Sequence, residues 1–329
     1  MNARRILVTG ATGFIGSAVA RCLLARGHDV RVLLRSTSPR ENLEDLQVEI
    51  AVGDLRDPES LSSALRGCDT VFHVAADYRF WAKDPNEIYE TNVDGTRAIM
   101  RAALEEGVER IVYTSSVATL GATVDGSPAD EDTPSTLESM IGAYKRSKFL
   151  AEKEVSRMAA DRALPAIIVN PAAPVGPRDI KPTPTGKMIR DAAAGRMPAY
   201  IETGLNIVHV DDVAEGHCLA FERGVIGRRY ILGGENRELR SILTDVAELA
   251  AVTPPLLRLP MAPLIPIAAI IEGAARVTGN APWFTRDELC MARKRMYFSS
   301  DRARQELGYD PRPARAALAD AVEWFKNRV

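Results

Sequence analysis

The first sixteen residues constrain this chain more than any other stretch. A strand-length apolar run, Arg5–Thr9 (RILVT), passes straight into Gly10-Ala11-Thr12-Gly13-Phe14-Ile15-Gly16 and then into a helical pattern. In such a strand–loop–helix unit the first glycine permits the tight turn and the second lets backbone approach a diphosphate. The third lets the helix pack close to the strand. The helix N-terminus then offers unpaired N–H groups to an anion. Gly10, Thr12, Gly13, Phe14, Ile15 and Gly16 are therefore candidate nucleotide-binding residues.

The rest of the first half repeats this alternation. Strand-like runs are Arg5–Thr9, Val30–Leu34, Val48–Val52, Thr70–Val74, Arg110–Ser115 and Ala166–Asn170, and helical patterns occupy Phe14–Ala25, Pro58–Leu65, Glu87–Glu106 and Ala143–Arg162. Strands that are apolar throughout and alternate with helices imply a parallel sheet covered on both faces. The expected fold is α/β, a Rossmann-type doubly wound parallel sheet with a smaller, mostly helical substrate domain. After Pro171 the stretch to Gly186 is rich in Pro and Gly and reads as a loop. Strand-like pieces follow at Asn206–Val210 and Arg229–Leu232, with a helix from Asp211 between them and a last helix opened by Pro313. The expected division is 1–175 as the nucleotide domain, with 206–235 returning to it, and 176–205 with 236–329 as the substrate domain.

A net charge of −2 gives no reason to expect nucleic acid as a partner. The four cysteines form no CxxC pair, and no metal-ligand cluster is visible, so no metal is expected. Arg4 and Arg5 precede only a strand, not a secretion signal. Leu259–Ile271 is 13 uncharged residues interrupted by prolines, short of the ~20 that span a bilayer. It reads as a buried or surface-docked helix. The expected location is cytoplasmic, with peripheral membrane contact as a variant.

Tyr144 and Lys148 lie four apart on a predicted helix and so share a face. A phenol is a weak base at neutral pH, but an adjacent ammonium lowers its pKa and lets it exchange a proton with a ketone or alcohol oxygen. Ser116, just past the fifth strand, can hydrogen-bond the same oxygen. Arg35 ends the second strand, where an acid would repel a ribose 2′-phosphate; arginine instead pairs with it. Ser36, Thr37, Ser38 and Arg40 add donors. NADP(H) is expected, with NAD(H) as the alternative. Asp54, after the third strand, can accept from an adenine amino group or cap the next turn.

These residues resemble a known family. TGATGFIG, the strand-end GDL at Gly53–Leu55, HVAA at His73–Ala76, TN at Thr91–Asn92, YTSS, YKRSK, NP at Asn170–Pro171 and VHVDDVA at His209–Ala214 are similar to the extended short-chain dehydrogenase/reductases. Within them the chain resembles the dihydroflavonol reductase branch. Segments such as HVAADYRFWA and NPAAPVGPRDIKPTPTG resemble bacterial hopanoid-associated sugar epimerases. The resemblance implies adenine-side contacts at Gly10, Phe14, Ile15, Arg35, Asp54 and Leu55. It implies bridging contacts at Ala75, Ala76, Lys148 and Pro171, and Tyr144 as acid/base, with Ser115 beside Ser116 as a candidate cofactor contact. It also implies a structural or relay role for Asn92, and pairing of two copies through Glu87–Glu106 and Ala143–Arg162.

For the substrate, Tyr78, Phe80 and Trp81 follow the fourth strand and suit an apolar or ring-bearing molecule, with Tyr200 as a further candidate. Arg178, Lys181 and Lys187 read as a solvated loop, and Asp211 as a helix N-cap. The leading expectation is a reductase or dehydrogenase acting on a small or lipid-linked substrate. An epimerase with a retained cofactor comes second and a non-enzymatic nucleotide sensor third.

Overall fold

The computed structural model describes residues 3–121, 123, 125–278, 282, 285–293 and 295–328. The apolar runs β1 (Arg5–Thr9), β2 (Asp29–Leu34), β3 (Glu49–Val52), β4 (Thr70–His73), β5 (Arg110–Thr114) and β6 (Ala166–Pro171) all enter one parallel sheet. Of the next four strands, three lie outside that sheet and the fourth extends it. β7 is Ala173–Val175, β8 is Ala199–Tyr200 and β9 is Gly204–His209, while β10 (Arg229–Leu232) pairs with β6. Among the described residues the large sheet has seven strands in the order β10-β6-β5-β4-β1-β2-β3. The order reverses between β1 and β4, which opens a crevice at the C-terminal ends of those strands.

Alternate side chains of each strand feed opposite cores, as the period of two requires. Ile6, Val8, Val32 and Phe72 pack on one face with α1 (Phe14–Ala25). Leu7, Leu33, Val71 and Ile111 pack on the other with α2 (Pro58–Leu65). That second face also carries α4 (Gly95–Glu105), which follows the short α3 (Asn86–Tyr89), and α5 (Gly142–Arg162). A third core joins α6 (Pro184–Ala193) to later helices, and α7 (Val210–Arg223) covers α1. Where α1 meets α7, the free thiols of Cys22 and Cys218 stand 3.0 Å apart.

The expected helix over Glu87–Glu106 is three pieces, because Glu90–Asp94 widens into a π-turn between α3 and α4. The Pro-rich stretch is also not all loop. It holds β7 and the start of α6, where Thr183 caps the helix and Pro184 occupies its first turn.

Of the segment 206–235, α7 packs on α1 and β10 joins the large sheet. β9 does not join it; it pairs with β7 and with β11 (Glu235–Glu238) in a separate three-stranded sheet. The remaining elements are α8 (Leu239–Ala250), β12 (Leu257–Arg258), α9 (Leu264–Thr278), α10 (Arg286–Ala292), α11 (Asp301–Leu307) and α12 (Ala314–Lys326). The apolar stretch expected to be buried or docked forms α9, which buries Ala268 but leaves Ile267 and Ile270 exposed. No helix among the described residues is long and apolar enough to cross a membrane.

Candidate active site

β1 delivers the glycine loop to the crevice. Gly10 has φ +73, and a Cβ there would lie 2.7 Å from the Ala75 backbone that follows β4. A Cβ on Gly16 would lie 2.1 Å from the Gly10 carbonyl oxygen. Both positions therefore exclude any side chain. Gly13 meets only that same oxygen, at 3.2 Å, and its N–H closes the turn onto it at 2.9 Å. No side chain caps α1, so its first-turn N–H groups remain available to an anion. These are the features a bound diphosphate requires. The Phe14 side chain belongs to the core, which leaves its backbone as the part that can reach a ligand. Thr12 is fixed by Asn42, whose Nδ2 donates to the carbonyls of both Thr12 (3.2 Å) and Arg178 (3.1 Å).

At the adenosine end, Arg35 is exposed just after β2, and its N–H donates to Ser38 Oγ at 3.2 Å. Asp54 caps the turn that follows β3, its Oδ1 accepting from the Arg56 N–H at 2.9 Å, while Asp57 caps α2. The Asp54 carboxylate accepts from the Arg56 guanidinium at 3.0 and 3.1 Å, and that pairing holds its pKa below the usual value, with Arg35 adding to the effect. Leu55 packs against the core beneath Gly95. Ala75 and Ala76 continue β4, where the Ala75 N–H donates to Thr9 Oγ1 at 3.2 Å, and Pro171 is buried at the end of β6.

The structure brings Tyr144, Lys148 and Ser116 together. Tyr144 and Lys148 lie on the first turns of α5, against the end of β5. Ser116 opens a single 3₁₀ turn, its Oγ accepting from Ala118 N–H at 3.1 Å, and its hydroxyl lies close enough to the Tyr144 phenol to lower its pKa. The expected lowering of the phenol pKa does not occur. Enclosure of Tyr144 raises it, and the Ser116 hydroxyl only partly opposes this. The reason is where the ammonium lies. Lys148 Nζ donates to the Thr114 carbonyl at 2.8 Å and to the Tyr113 hydroxyl at 3.3 Å, and the structure pairs it with neither oxygen of Tyr144. Burial brings Lys148 down to about 8, with Glu152 opposing.

Ser115, expected at the cofactor, instead donates its hydroxyl to buried Glu152. Of the aromatic group, Phe80 reaches the site, its ring meeting Tyr144 edge-on at 5.7 Å. Tyr78 is exposed and donates its hydroxyl to the Lys181 carbonyl at 3.1 Å; Trp81 is half-buried, and Tyr200 packs in the helical layer. Asn92 has a structural task. Its Oδ1 accepts from Asp77 N–H at 2.7 Å, and its Nδ2 donates to the Asp77 carbonyl and to Ser147 Oγ. Arg178 is not solvated. It sits at φ +76, mostly buried, paired with Asp211. The N-cap of α7 is His209, whose Nδ1 accepts from Asp211 N–H at 2.9 Å, rather than Asp211. Sequence reasoning missed Glu152 and Tyr113. The four-residue step from Lys148 to Glu152 carries a signal for the first; the second depends on how β5 meets α5.

Among the described residues no cluster of side chains could hold a metal ion. The model of the NAD dependent epimerase/dehydratase family matches residues 6–233. The chain is 44% identical over 324 residues to a Synechocystis protein provisionally named dihydroflavonol 4-reductase, covering 97% of this chain and 94% of that one. It is 38% identical to sterol demethylase protein B of Methylococcus capsulatus, covering 98% of both chains. Among solved structures, the crystal structure of gox2253 is similar with a TM-score of 0.90 and 58% identity, covering 99% of this chain and 98% of the other. The glycine cradle, the reversed strand order and these matches agree. The chain is an enzyme of the NAD-dependent epimerase/dehydratase family, the extended short-chain dehydrogenase/reductases.

Proposed function

We propose that the chain is an NADP(H)-dependent oxidoreductase that reduces a ketone, or runs the reverse reaction on a secondary alcohol, with Tyr144 as general acid/base. The observation that carries this reading is the state of Tyr144. A phenol is protonated at neutral pH at its ordinary value of about 10, enclosure moves it further up, and a protonated phenol is the form that gives a proton to a ketone oxygen. Ser116, whose hydroxyl lies close to that phenol, orients the same oxygen. The glycine loop and the N-terminus of α1 hold the diphosphate, and Arg35 pairs with the 2′-phosphate. Of the three N–H groups of Lys148, one goes to Thr114 and one to Tyr113, and the third would hold the nicotinamide ribose. NADPH, when bound, supplies the hydride.

Phe80, whose ring meets Tyr144, makes the approach to the phenol apolar, which suits a ring-bearing or lipid-linked substrate. The similarity to a protein named for sterol demethylation supports a polycyclic lipid and, with the resemblance to hopanoid-associated proteins, a place in hopanoid metabolism. The exposed Ile267 and Ile270 on α9 suit peripheral contact with a membrane while the rest of the protein stays in the cytoplasm. The family description favours a second reading, an epimerase that retains its nucleotide through both half-reactions.

One experiment separates the two. Protein purified without added nucleotide is denatured and its supernatant assayed, and a native sample is titrated with NADPH and NADH. The reductase reading expects an empty site and NADPH bound at least about tenfold tighter, the worth of one charge-assisted pairing. Stoichiometric release of NAD would overturn it in favour of the epimerase.

A further inference from the structure

Several donors converge on one carboxylate beneath the site. Glu152, one turn after Lys148 on α5, is only 5% exposed. It accepts from the Ser115 hydroxyl, from Thr119 Oγ1 at 2.9 Å, from Asn170 Nδ2 at 2.8 Å and from Arg229 Nη1 at 3.2 Å. Asn170 Nδ2 also lies 3.1 Å from the Ser116 carbonyl oxygen. One carboxylate thus gathers the end of β5, the 3₁₀ turn that carries Ser116, β6 and the edge strand β10. A carboxylate with this many donors is held rigidly, because moving it would weaken several hydrogen bonds at once.

We propose that Glu152 is the positioning residue of this site: it clamps the serine turn and is the counter-charge that keeps Lys148 an ammonium ion. The proposal rests on the reading of Tyr144, Lys148 and Ser116 as the reacting group. Lys148 is 2% exposed, and a buried ammonium without an opposite charge loses its proton. The hydrogen-bond partners of Lys148, the Thr114 carbonyl and the Tyr113 hydroxyl, carry no charge. Neither do the other groups that face it. From β4 comes His73, which burial holds neutral; from β5 comes Tyr113, whose pKa is raised. Tyr144 on α5 is a phenol, and His217 on α7, reached through Thr114, is neutral. The carboxylate of Glu152 lies on the same helix face one turn away. Arg229 offsets part of its charge, and behind Arg229 stand Glu131 and Arg302.

The margin is narrow. With Lys148 at about 8, about nine-tenths of it is charged at pH 7, and a tenfold rise in its acid dissociation constant would leave about half. Loss of an opposite charge one helical turn away is worth about that factor. The test uses protein labelled with ε-13C-lysine, with the Lys148 resonance assigned from a Lys148→Arg sample and titrated by NMR in the free protein. Wild type is expected to titrate near 8, Glu152→Gln with an acid dissociation constant about tenfold larger, and Glu152→Asp close to wild type because a carboxylate remains. A Lys148 midpoint unchanged in Glu152→Gln overturns the proposal. Where Glu152→Gln does not fold, a midpoint in Glu152→Asp that falls by tenfold or more overturns it as well. The titration needs no turnover, so failure of the reductase reading would appear in the Tyr144 variant and not here.

Discussion

The chemistry of the site turns on which oxygen each nitrogen meets. Tyr144, like any phenol, carries a proton at neutral pH, burial moves its pKa further up, and Lys148 is held one step away, under Tyr113 and Thr114. Replacement of Tyr144 by Phe removes the transferable proton but keeps the ring that Phe80 packs on. Turnover of any ketone the enzyme accepts is expected to fall by about 10²–10⁴, the usual worth of a positioned acid, with NADPH affinity measured by titration nearly unchanged. Full activity in that variant would remove Tyr144 from the mechanism. The pair Tyr144 and Lys148 was legible in the sequence because a helix makes four-residue spacing a statement about geometry. The pKa of the phenol was not. It follows from how closely the fold encloses Tyr144, with Ser116 opposing part of the rise, and no local pattern encodes which elements will close around a side chain.

The π-turn at Glu90–Asp94 illustrates a break in regularity that a sequence pattern smooths over. The apolar period reads as one helix over Glu87–Glu106, yet the backbone widens where Asn92 turns inward to clamp Asp77 and Ser147. The clamp fixes the start of the segment Asp77–Trp81 that carries the aromatic residues, and through Ser147 it ties that segment to α5. Asn92→Ala would leave the N–H and carbonyl of Asp77 without these partners in a partly buried place. We expect a loss of about 2–3 kcal/mol in stability and a weaker Michaelis constant for an apolar substrate, both read by denaturant titration and steady-state kinetics. A variant with wild-type stability and kinetics would show that the π-turn holds without its asparagine. The alternation of strands and helices was legible because each strand is apolar on both faces. The small sheet of β7, β9 and β11 was not, since β7 is three residues inside a Pro-rich stretch and has no period of its own.

Two buried histidines make the stability of the assembled fold sensitive to mild acid. His73 joins the central strand to α4, with Nδ1 at 2.8 Å from Thr9 Oγ1 and Nε2 at 3.0 Å from Thr96 Oγ1. His217 joins α7 to β5. Its Nδ1 lies 2.7 Å from the Val213 carbonyl, so that nitrogen donates, and Nε2 accepts from Thr114 Oγ1 at 2.9 Å. Burial depresses the first to about 3 and the second to about 4. For a base depressed in the fold, the unfolded chain binds the extra proton. Stability is therefore complete above the unfolded value of about 6.5 and declines as pH falls toward the folded values. By pH 4.5 each histidine withdraws on the order of 2–3 kcal/mol, a large part of the 5–15 kcal/mol typical of a folded domain. Asp179 acts in the opposite direction. Burial raises it to about 6, as it also raises Glu131 and Asp287, so acid relieves rather than adds to the cost of these carboxyls and offsets part of the histidine loss. The urea midpoint is thus expected to fall steadily between pH 6.5 and 4.5, above the range where ordinary carboxylates protonate. His217→Gln keeps an amide that can give one hydrogen bond and accept another but cannot gain a charge, so it should flatten that decline by about half, whatever it does to stability at pH 8. A midpoint that stays level in wild type across this window would mean that neither ring is neutral in the fold.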